Sequence, residues 1–387
     1  MEKQEALALM ERLAVQEFGL FPASLCGMIR EKRAAEKLIC ALNNADTDGP
    51  LLTLLTRKPQ AVFAGLALAA DALGAEKKEL YVPEYAADLE EALRAETQAA
   101  GISLRIGLVD VRENENNLIC HIVTMANLGE KLQGKYVEGV YVSVNGGTLL
   151  KLPGETKLSS LAENVRAVQI GYALYSPEAL EMTLAQAHPE NGVIRAFTAE
   201  DCVIDAVQKQ LYACKKQSCG KCVFCREGIN QLEFLHREII QGRGKAEALP
   251  LAQEIGQAMG FSCVCSLGLH AAELALSALK TVPSEYEAHI KKKKCPANAC
   301  KAFQKVYVIP QKCTGCTACM AACPADAMDG AKGYIHVVAD FLCTRCGACI
   351  PACPESAIVK TAGAAPKLPD RMMRVGRFKG ASGACGL

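Results

Sequence analysis

The sequence predicts a chain of several domains that starts with an α/β domain and ends with a small cysteine-rich domain. Three observations predict this order. Strands and helices alternate over residues 34–111, a strand–hairpin–strand pattern covers 138–165, and the periodicity becomes helical from about residue 200. A chain of 387 residues, half of them apolar, is long enough for two to four domains with cores of their own.

The charge, hydropathy and cysteine content of the chain indicate which partners and which cellular location to expect. A net charge of +1 gives no reason to expect nucleic acid or an acidic membrane surface as a partner, and no apolar run reaches the length of a membrane span. The first 18 residues form an amphipathic helix with acidic residues, unlike a signal peptide. We therefore expect a cytoplasmic protein, in which the 21 cysteines serve as metal ligands more often than as disulfides.

The first domain is predicted as a β-α-β-α-β unit with a small parallel sheet. Its predicted elements are, in order, strand 38–42, helix 58–73, a strand centred on 80–83, helix 86–100 and strand 103–111. The polar turn after the first strand contains Asn44, Asp46 and Asp48. Ligands bind at the carboxyl ends of such strands, but we favour a plain solvated turn here.

Residues 138–165 change in character. They read as strand, Asn-Gly-Gly hairpin, strand and short helix, which predicts a small ubiquitin-like β-grasp domain. The segment has no catalytic constellation, so its expected role is packing or docking.

The helical region begins with a cysteine triple. The segment SCGKCVFCREG (218–228) contains Cys219, Cys222 and Cys225 in C-x2-C-x2-C spacing and opens a helix. A helix N-terminus, with its free N–H groups, suits an anionic cluster. The fourth ligand must come from elsewhere, and FSCVCSLG (261–268) supplies two candidate thiols. The spacing favours an iron–sulfur cluster, with a zinc site as the alternative.

The strongest motif is C-x2-C-x2-C-x3-C-P, which occurs twice between Cys313 and Pro354. Three thiolates at this spacing bind one iron–sulfur cube, and the fourth Cys of each run binds the other cube. A zinc ribbon or a disulfide knot does not use this duplicated pattern. The expected ligand sets are Cys313, Cys316, Cys319 and Cys353 for one [4Fe-4S] cluster, and Cys343, Cys346, Cys349 and Cys323 for the other.

Most of the chain, with strength varying by region, resembles the family of NADH-oxidising flavoprotein subunits of respiratory complex I and of electron-bifurcating multimeric hydrogenases and formate dehydrogenases. The resemblance is carried by SCGKCVFCREG with CSLG, by AVQIG (167–171) and EDCVIDA (200–206), and by EYEAHI-x4-CPANAC (285–300). Hydrogenase relatives append a two-cluster ferredoxin. The resemblance implies Cys265 as the fourth ligand of the helical-domain cluster, with Cys263 an extra thiol.

The resemblance also implies a domain order and a fold class. The fold class is a degenerate Rossmann-like α/β domain, an SLBB-like β-grasp domain, a helical-bundle iron–sulfur domain and a bacterial-type two-[4Fe-4S] ferredoxin. The expected boundaries are 1–135 for the flavin/NADH-like domain, 136–198 for the β-grasp, 199–290 for the helical domain, 291–306 for a zinc-binding bridge, 307–360 for the ferredoxin and 361–387 for an extended tail.

The flavin half departs from the family. Its Gly-rich loop corresponds to residues 19–32, where larger side chains such as Leu25 and Met28 would crowd a flavin. His121 and Val123 stand where the family has polar residues, and no nucleotide-facing segment fits between Val111 and Cys120. We therefore expect neither FMN nor NADH oxidation by this chain alone.

The bridge is expected to hold zinc. Relatives bind a zinc ion there, and the matching residues are Cys202, His289, Cys295 and Cys300. The alternative is that Cys295 and Cys300 are ordinary thiols. The remaining cysteines are expected to be free, namely Cys26, Cys40, Cys120, Cys214, Cys263 and Cys385. The Gly- and Pro-rich tail is expected to be extended and to strap onto a partner.

The sequence thus predicts an iron–sulfur electron-transfer subunit with three [4Fe-4S] clusters and one Zn²⁺. The resemblance implies partners: a [2Fe-2S] thioredoxin-like subunit, a catalytic hydrogenase- or formate-dehydrogenase-like subunit, and a separate flavoprotein. Two alternatives stay open. One is a divergent FMN-containing NAD(P)H dehydrogenase subunit that bifurcates electrons, and the other is a docking scaffold with partly structural clusters.

Overall fold

A computed structural model describes residues 1–19, 23–32, 35–362, 365–369 and 371–378 of the chain. It divides into two compact units, each described here by itself. The first comprises Met1–Ala199, Val203–Arg237 and Glu247–Pro283, and the second comprises Glu200–Cys202, Glu238–Ala246 and Ser284–Leu387. Within the described ranges, no helix has both the length and the apolar character needed to cross a bilayer.

The first unit begins with the predicted α/β domain. Its elements are α1 Lys3–Leu13, α2 Leu25–Glu31, β1 Lys37–Ala41, α3 Thr53–Arg57, α4 Pro59–Leu73, β2 Lys77–Val82, α5 Leu89–Ala99, β3 Ser103–Ile106, α6 Glu113–Asn116, β4 Leu118–His121 and α7 Ile122–Leu132. The sheet is parallel throughout, in the order β3-β2-β1-β4. The third strand is shorter than predicted because Gly107 has a φ of +122°, which leaves the strand conformation.

Two glycines set the packing of the sheet's helices. A Cβ on Gly65 of α4 would lie 2.0 Å from the Met125 carbonyl oxygen, and one on Gly129 of α7 would lie 1.8 Å from the Ala61 carbonyl oxygen. Only glycine therefore allows the two helices to cross this closely. The contact helps to build an apolar core that contains the buried faces of α1, α2, α4 and α7.

A five-stranded mixed sheet follows, in the order β6-β5-β9-β7-β8. Its elements are β5 Val140–Val144, β6 Leu150–Leu152, β7 Ala167–Ile170, β8 Ala173–Tyr175, α8 Leu184–Ala187 and β9 Val193–Phe197. The predicted hairpin is present, since β5 and β6 pair antiparallel across the Asn-Gly-Gly turn. A separate apolar cluster fills this sheet's core, and its β-grasp assignment stays a prediction.

The helical region consists of α9 Val203–Gln217, α10 Val223–Ile240, α11 Ala248–Ser262, α12 Ser266–Thr281 and α13 Pro283–Ile290. Four apolar residues that share one face of α10 are all buried, namely Ile229, Leu232, Leu235 and Ile239. That burial fixes the rotation of α10 and hence the position of the cysteines at its start.

The second unit contains the cysteine-rich domain. Its elements are β10 Lys305–Val308, α14 Ala318–Ala321, β11 Met328–Asp329, β12 Val337–Val338 and β13 Ile358–Thr361. β10 pairs with β13, and β11 pairs with β12, both antiparallel. Part of the expected tail contacts this domain, because Ile335 donates to the Met373 carbonyl and Val375 donates to the Gly333 carbonyl. Cys385 lies outside the described residues.

Candidate iron–sulfur and zinc sites

In the ferredoxin region, Cys319 and Cys349 each lie near other cysteines of the two C-x2-C-x2-C-x3-C motifs. The pKa of Cys319 is raised to about 11, first by burial and then by the charge of three neighbouring cysteines. These neighbours are Cys313, Cys316 and Cys353. Burial and the charge of Cys323, Cys343 and Cys346 likewise raise the pKa of Cys349. Cys319 and Cys349 therefore each lie near the three cysteines predicted to share a cluster with them.

The four thiols of the second set line a recess. It has about 320 Å³ of empty volume and is lined by Val306, Pro324, Ala327, Met328 and Val338, together with the cysteines 323, 343, 346 and 349. An apolar recess lined by four thiols is the environment that an iron–sulfur cube requires. The last cysteine of each run is held from the backbone, where Ala327 donates to Cys323 Sγ at 3.2 Å and Ala357 donates to Cys353 Sγ at 3.3 Å.

The helical-domain thiols meet at the junction of three helices. Cys225 lies in the first turn of α10, Cys263 ends α11, and Cys265 caps the N-terminus of α12. A hydrogen bond from Cys225, helped by the N–H groups of Gly268 and Leu267, lowers the pKa of Cys265 to about 6. A helix N-terminus stabilises a thiolate in this way.

The extra thiol belongs to the same group. Burial, then the charge of Cys265 and Cys222, raises the pKa of Cys263 to about 11. Cys219 is exposed, on the loop that precedes α10. A Cβ at Gly268 would lie 2.4 Å from Cys263 Sγ and 3.2 Å from Cys225 Cβ, so a glycine is needed here. The sequence identified the cysteines of this site but not the need for Gly268.

Four buried side chains converge in the bridge. The ligand atoms of Cys202, His289, Cys295 and Cys300 all lie within 4.8 Å of one another. His289 Nε2 is 3.5 Å from both Cys202 Sγ and Cys300 Sγ, and those two sulfurs are 3.4 Å apart. A tetrahedral zinc site with Zn–S bonds of about 2.3 Å and a Zn–N bond of about 2.0 Å has edges of about 3.5–3.8 Å. The donor set and its spacing therefore fit zinc.

A hydrogen bond to the backbone fixes the orientation of the His289 imidazole. His289 Nδ1 donates to the Glu285 carbonyl oxygen at 2.8 Å, one turn earlier in α13, so that Nε2 faces the three sulfurs. The Phe303 ring meets the imidazole edge-on, with 5.2 Å between ring centroids. A backbone acceptor on the second ring nitrogen is the usual support of a zinc-binding histidine.

The stretch 19–32, which matches the family's flavin loop, contains the helix α2. Leu25, Cys26 and Ile29 of α2 are buried in the core of the α/β domain, and Met28 packs against that core. Ser24 caps the helix through a hydrogen bond from Gly27 N. These side chains point inward and are part of the packing.

The imidazole of His121 also has a hydrogen-bond partner close in sequence. Its Nδ1 accepts from Val123 N at 3.1 Å and caps α7, and burial lowers its pKa to about 3. The Phe18 ring lies 4.7 Å from the imidazole, and Phe18 N donates to Thr124 Oγ1. The imidazole is therefore neutral and already has a hydrogen-bond partner and a ring contact.

The turn after β1 differs from its prediction. Its residues do build a turn, in which Asp46 Oδ1 accepts from Asp48 N and Gly49 N at 3.2 and 2.8 Å. It is not a solvated turn, because Asp46 is only 1% exposed and burial raises its pKa to about 7. The sequence could not reveal this burial, since it depends on elements distant in the chain.

An open groove lies beside this turn. It has about 880 Å³ of empty volume and is lined by Thr47, Glu84, Tyr85, Tyr212, Ala213, Lys216 and Gln217. Thr47 and Glu84 follow β1 and β2, so the groove is at the carboxyl edge of the sheet, where α/β domains bind ligands.

Comparison with known proteins defines the class of protein. Residues 205–289 match the NADH-ubiquinone oxidoreductase-F iron–sulfur binding region, and residues 312–358 match the 4Fe-4S dicluster domain. Two separate regions of the chain are therefore [4Fe-4S]-binding regions. The predicted resemblance to the family of NADH-oxidising flavoprotein subunits, with an added ferredoxin domain, is confirmed.

Two curated relatives are similar over part of their length. NADP-reducing hydrogenase subunit HndC of Solidesulfovibrio fructosivorans is 33% identical over 146 residues, which are 38% of this chain and 30% of that protein. An NADH-quinone oxidoreductase subunit of Streptomyces coelicolor is 35% identical over 109 residues, 28% of this chain and 24% of that protein. The matches thus span less than a third of the relatives.

A solved structure shares the fold. The NAD⁺-reducing [NiFe]-hydrogenase in its H2-reduced state aligns with a TM-score of 0.61 and 20% identity, over 75% of this chain and 63% of that chain. Its air-oxidized state gives a TM-score of 0.60 and 19% identity, with the same coverage. This likeness establishes a mixed α/β fold of that type.

Proposed function

We propose that this chain is an electron-transfer subunit of a multi-subunit oxidoreductase and relays single electrons through three [4Fe-4S] clusters. The observation that carries the proposal is the nearness of thiols around Cys319 and around Cys349, together with the contact of Cys225 with Cys265 in the helical region. The clusters would supply the one-electron chemistry. The chain's own residues would hold them, bury them and set their potentials.

The ligands of the proposed third cluster are Cys219, Cys222, Cys225 and Cys265. Cys265 is preferred over Cys263 because it occupies the N-cap position of α12, where the nearby N–H groups of Leu267 and Gly268 lower its pKa and so favour a thiolate. In the bridge, Zn²⁺ held by Cys202, His289, Cys295 and Cys300 would be structural, since four protein ligands leave no open position for substrate.

The partners follow from the class of protein. HndC is described as a subunit of an NADP-reducing hydrogenase, and the Streptomyces coelicolor relative as a subunit of an NADH-quinone oxidoreductase. By analogy this chain would work beside a [2Fe-2S] thioredoxin-like subunit, a catalytic hydrogenase- or formate-dehydrogenase-like subunit and a separate flavoprotein. A cytoplasmic location stays part of the proposal.

The chain alone is proposed to hold no FMN and to leave NADH unoxidised. Leu25 and Ile29 are buried in the core where the family has a glycine-rich cradle, and His121 is used as a helix cap. Backbone amides must approach a flavin closely, and side chains at that loop prevent it. Electrons would then enter from a flavin on another subunit or leave towards one.

The deciding experiment counts cofactors in the full chain purified anaerobically. We expect about twelve iron atoms and twelve sulfides per chain from three cubes, and no flavin fluorescence after acid release. About eight irons would remove the helical-domain cluster from the proposal. One FMN per chain would overturn the proposed absence of flavin.

One observation favours a second candidate function. The groove at the carboxyl edge of the sheet, with the exposed rings of Tyr85 and Tyr212, is large enough for a planar ring system. A divergent FMN-containing NAD(P)H dehydrogenase subunit that bifurcates electrons would use such a groove. Tyr85→Ala should then release flavin from a yellow preparation, whereas the proposed function predicts a preparation without flavin before any substitution.

A further inference from the structure

The two halves of the ferredoxin domain repeat at a fixed spacing. Cys343 follows Cys313 by 30 residues, and the same interval relates Ala327 to Ala357. The latter two are equivalent in structure as well, because each donates its N–H to the last cysteine of its half. The backbone environment of the two proposed clusters is therefore matched at this pair of positions.

One pair of side chains breaks the repeat. Position 306 is a valine, whereas the residue 30 positions later is His336. Val306 is buried and lines the apolar recess of the Cys343 set. His336 is 1% exposed, and its Nδ1 lies 3.6 Å from Sγ of Cys313 in the other set. One set of thiols thus faces an alkyl group and the other an imidazole.

The chemistry of the contact fixes the direction of the hydrogen bond. A sulfur that ligates iron carries negative charge and accepts hydrogen bonds, so Nδ1 of His336 must carry the proton and donate. Nε2 is buried and has no hydrogen-bond partner among the described residues. Burying an unpaired ring nitrogen is unfavourable, so packing alone is a poor reason for a histidine here.

The neighbouring backbone makes room for the ring. A Cβ on Gly330, across the hairpin, would lie 2.5 Å from Cδ2 and 3.0 Å from Cγ of His336. The imidazole is therefore seated against a glycine that no larger residue can replace without moving it. This contact holds Nδ1 on the side of Cys313.

We propose that His336 is a positioning residue that raises the reduction potential of the cluster held by the Cys313 set, by donating a hydrogen bond from Nδ1 to Cys313 Sγ. The inference rests on the proposed function, since it requires that cluster. Reduction adds negative charge to a cluster, so a hydrogen bond donated to its sulfur is stronger in the reduced state. The hydrogen bond therefore favours the reduced form. The valine of the other half supplies no such donor.

The test is a redox titration of the full chain, followed by electron paramagnetic resonance. His336→Val copies the other half and removes the donor. We expect the one-electron reduction constant of one ferredoxin cluster to fall about tenfold, which is about 59 mV, while the other two clusters keep their potentials. His336→Asn is the matched control, because its amide can donate from a position near Nδ1, and it should stay within about threefold of the wild type.

The signals are assigned with Cys346→Ala, which removes a ligand of the other cluster. An unchanged potential in His336→Val, or a shift confined to the other cluster, would overturn the inference. His336→Phe keeps a ring without a donor and should behave as His336→Val does. If both donor-free variants lose four irons, His336 is required for assembly and the tuning role is wrong. A wild-type chain that shows no pair of ferredoxin signals would instead refute the proposed function, before any variant is compared.

Discussion

Removal of one proposed zinc ligand should destabilise the second unit strongly. In Cys300→Ser the weakly coordinating hydroxyl replaces one of four ligands in a site where every ligand is at most 6% exposed. Structural zinc contributes about 10–16 kcal/mol in small zinc domains, so the loss of one ligand in four corresponds to about 3 kcal/mol. Water cannot easily replace the thiolate, because the four ligands are themselves buried.

The assay combines metal analysis with thermal unfolding. A loss of about 3 kcal/mol should lower the melting temperature of the second unit by roughly 10–20 °C, and zinc should fall from one equivalent to well below it. Cys214→Ser is the matched control. It makes the same chemical change at a buried thiol of α9, outside the bridge, and should keep its zinc.

Two results would refute this reasoning. The first is the absence of zinc from wild-type protein that contains its full complement of iron. The second is a Cys300→Ser protein that retains zinc and melts together with Cys214→Ser. In either case the four converging side chains of the bridge would be held by hydrogen bonds among the thiols and the imidazole, without a metal.

Further predictions concern the clusters and the pH dependence of stability. Cys346→Ala should cost one ferredoxin cluster, about four irons, and leave the helical-domain signal unchanged in electron paramagnetic resonance. Gly268→Ala should lower the iron content by about four as well, because the added methyl group would collide with Cys263 Sγ; full occupancy would contradict this. The folded-state pKa of Asp46, about 7, exceeds the unfolded value of about 4. Between about pH 4 and pH 7 the folded chain keeps a proton on Asp46 that the unfolded chain has lost. The free energy of unfolding should therefore fall as pH rises from about 4 to about 7. Asp46→Asn should flatten this pH dependence when stability is measured by urea unfolding. It should add on the order of 2–4 kcal/mol to the free energy of unfolding at pH 8. Part of the pH dependence should remain in this variant, because burial also raises the pKa of Glu17 to about 7.

Local signals in the sequence predicted much of the fold. The helix expected over 58–73 is α4, which starts at Pro59 and stops where Gly74 adopts a φ of +77°. Both residues are standard signals for helix ends, so they can be recognised without the structure. The spacing within each C-x2-C-x2-C run likewise predicts three ligands that are close in sequence, while the fourth ligand of each set is distant in sequence, and the ligand sets stay predictions.

Features that depend on distant residues were not predictable. β4 has only four residues and runs directly into α7, yet it pairs with β1, about 80 residues earlier. Asp46 is buried by neighbours that no local pattern identifies. The contact between His336 and Cys313 became visible only with the structure, although the sequence held one signal, the exchange of valine for histidine between the two repeats.

The packing of α2 would allow the α/β domain to fold without a flavin, as proposed. Leu25 and Ile29 are 0% and 4% exposed, and each contributes about 2 kcal/mol by its burial, or about 4 kcal/mol together. A cofactor at a hundred times its dissociation constant would stabilise the folded domain by about 2.7 kcal/mol. The side chains that would exclude the flavin therefore supply at least the stability that a bound flavin would supply. Under the proposed function, the domain would be retained for docking partner subunits, and the transfer of electrons would need only the cysteine-rich regions.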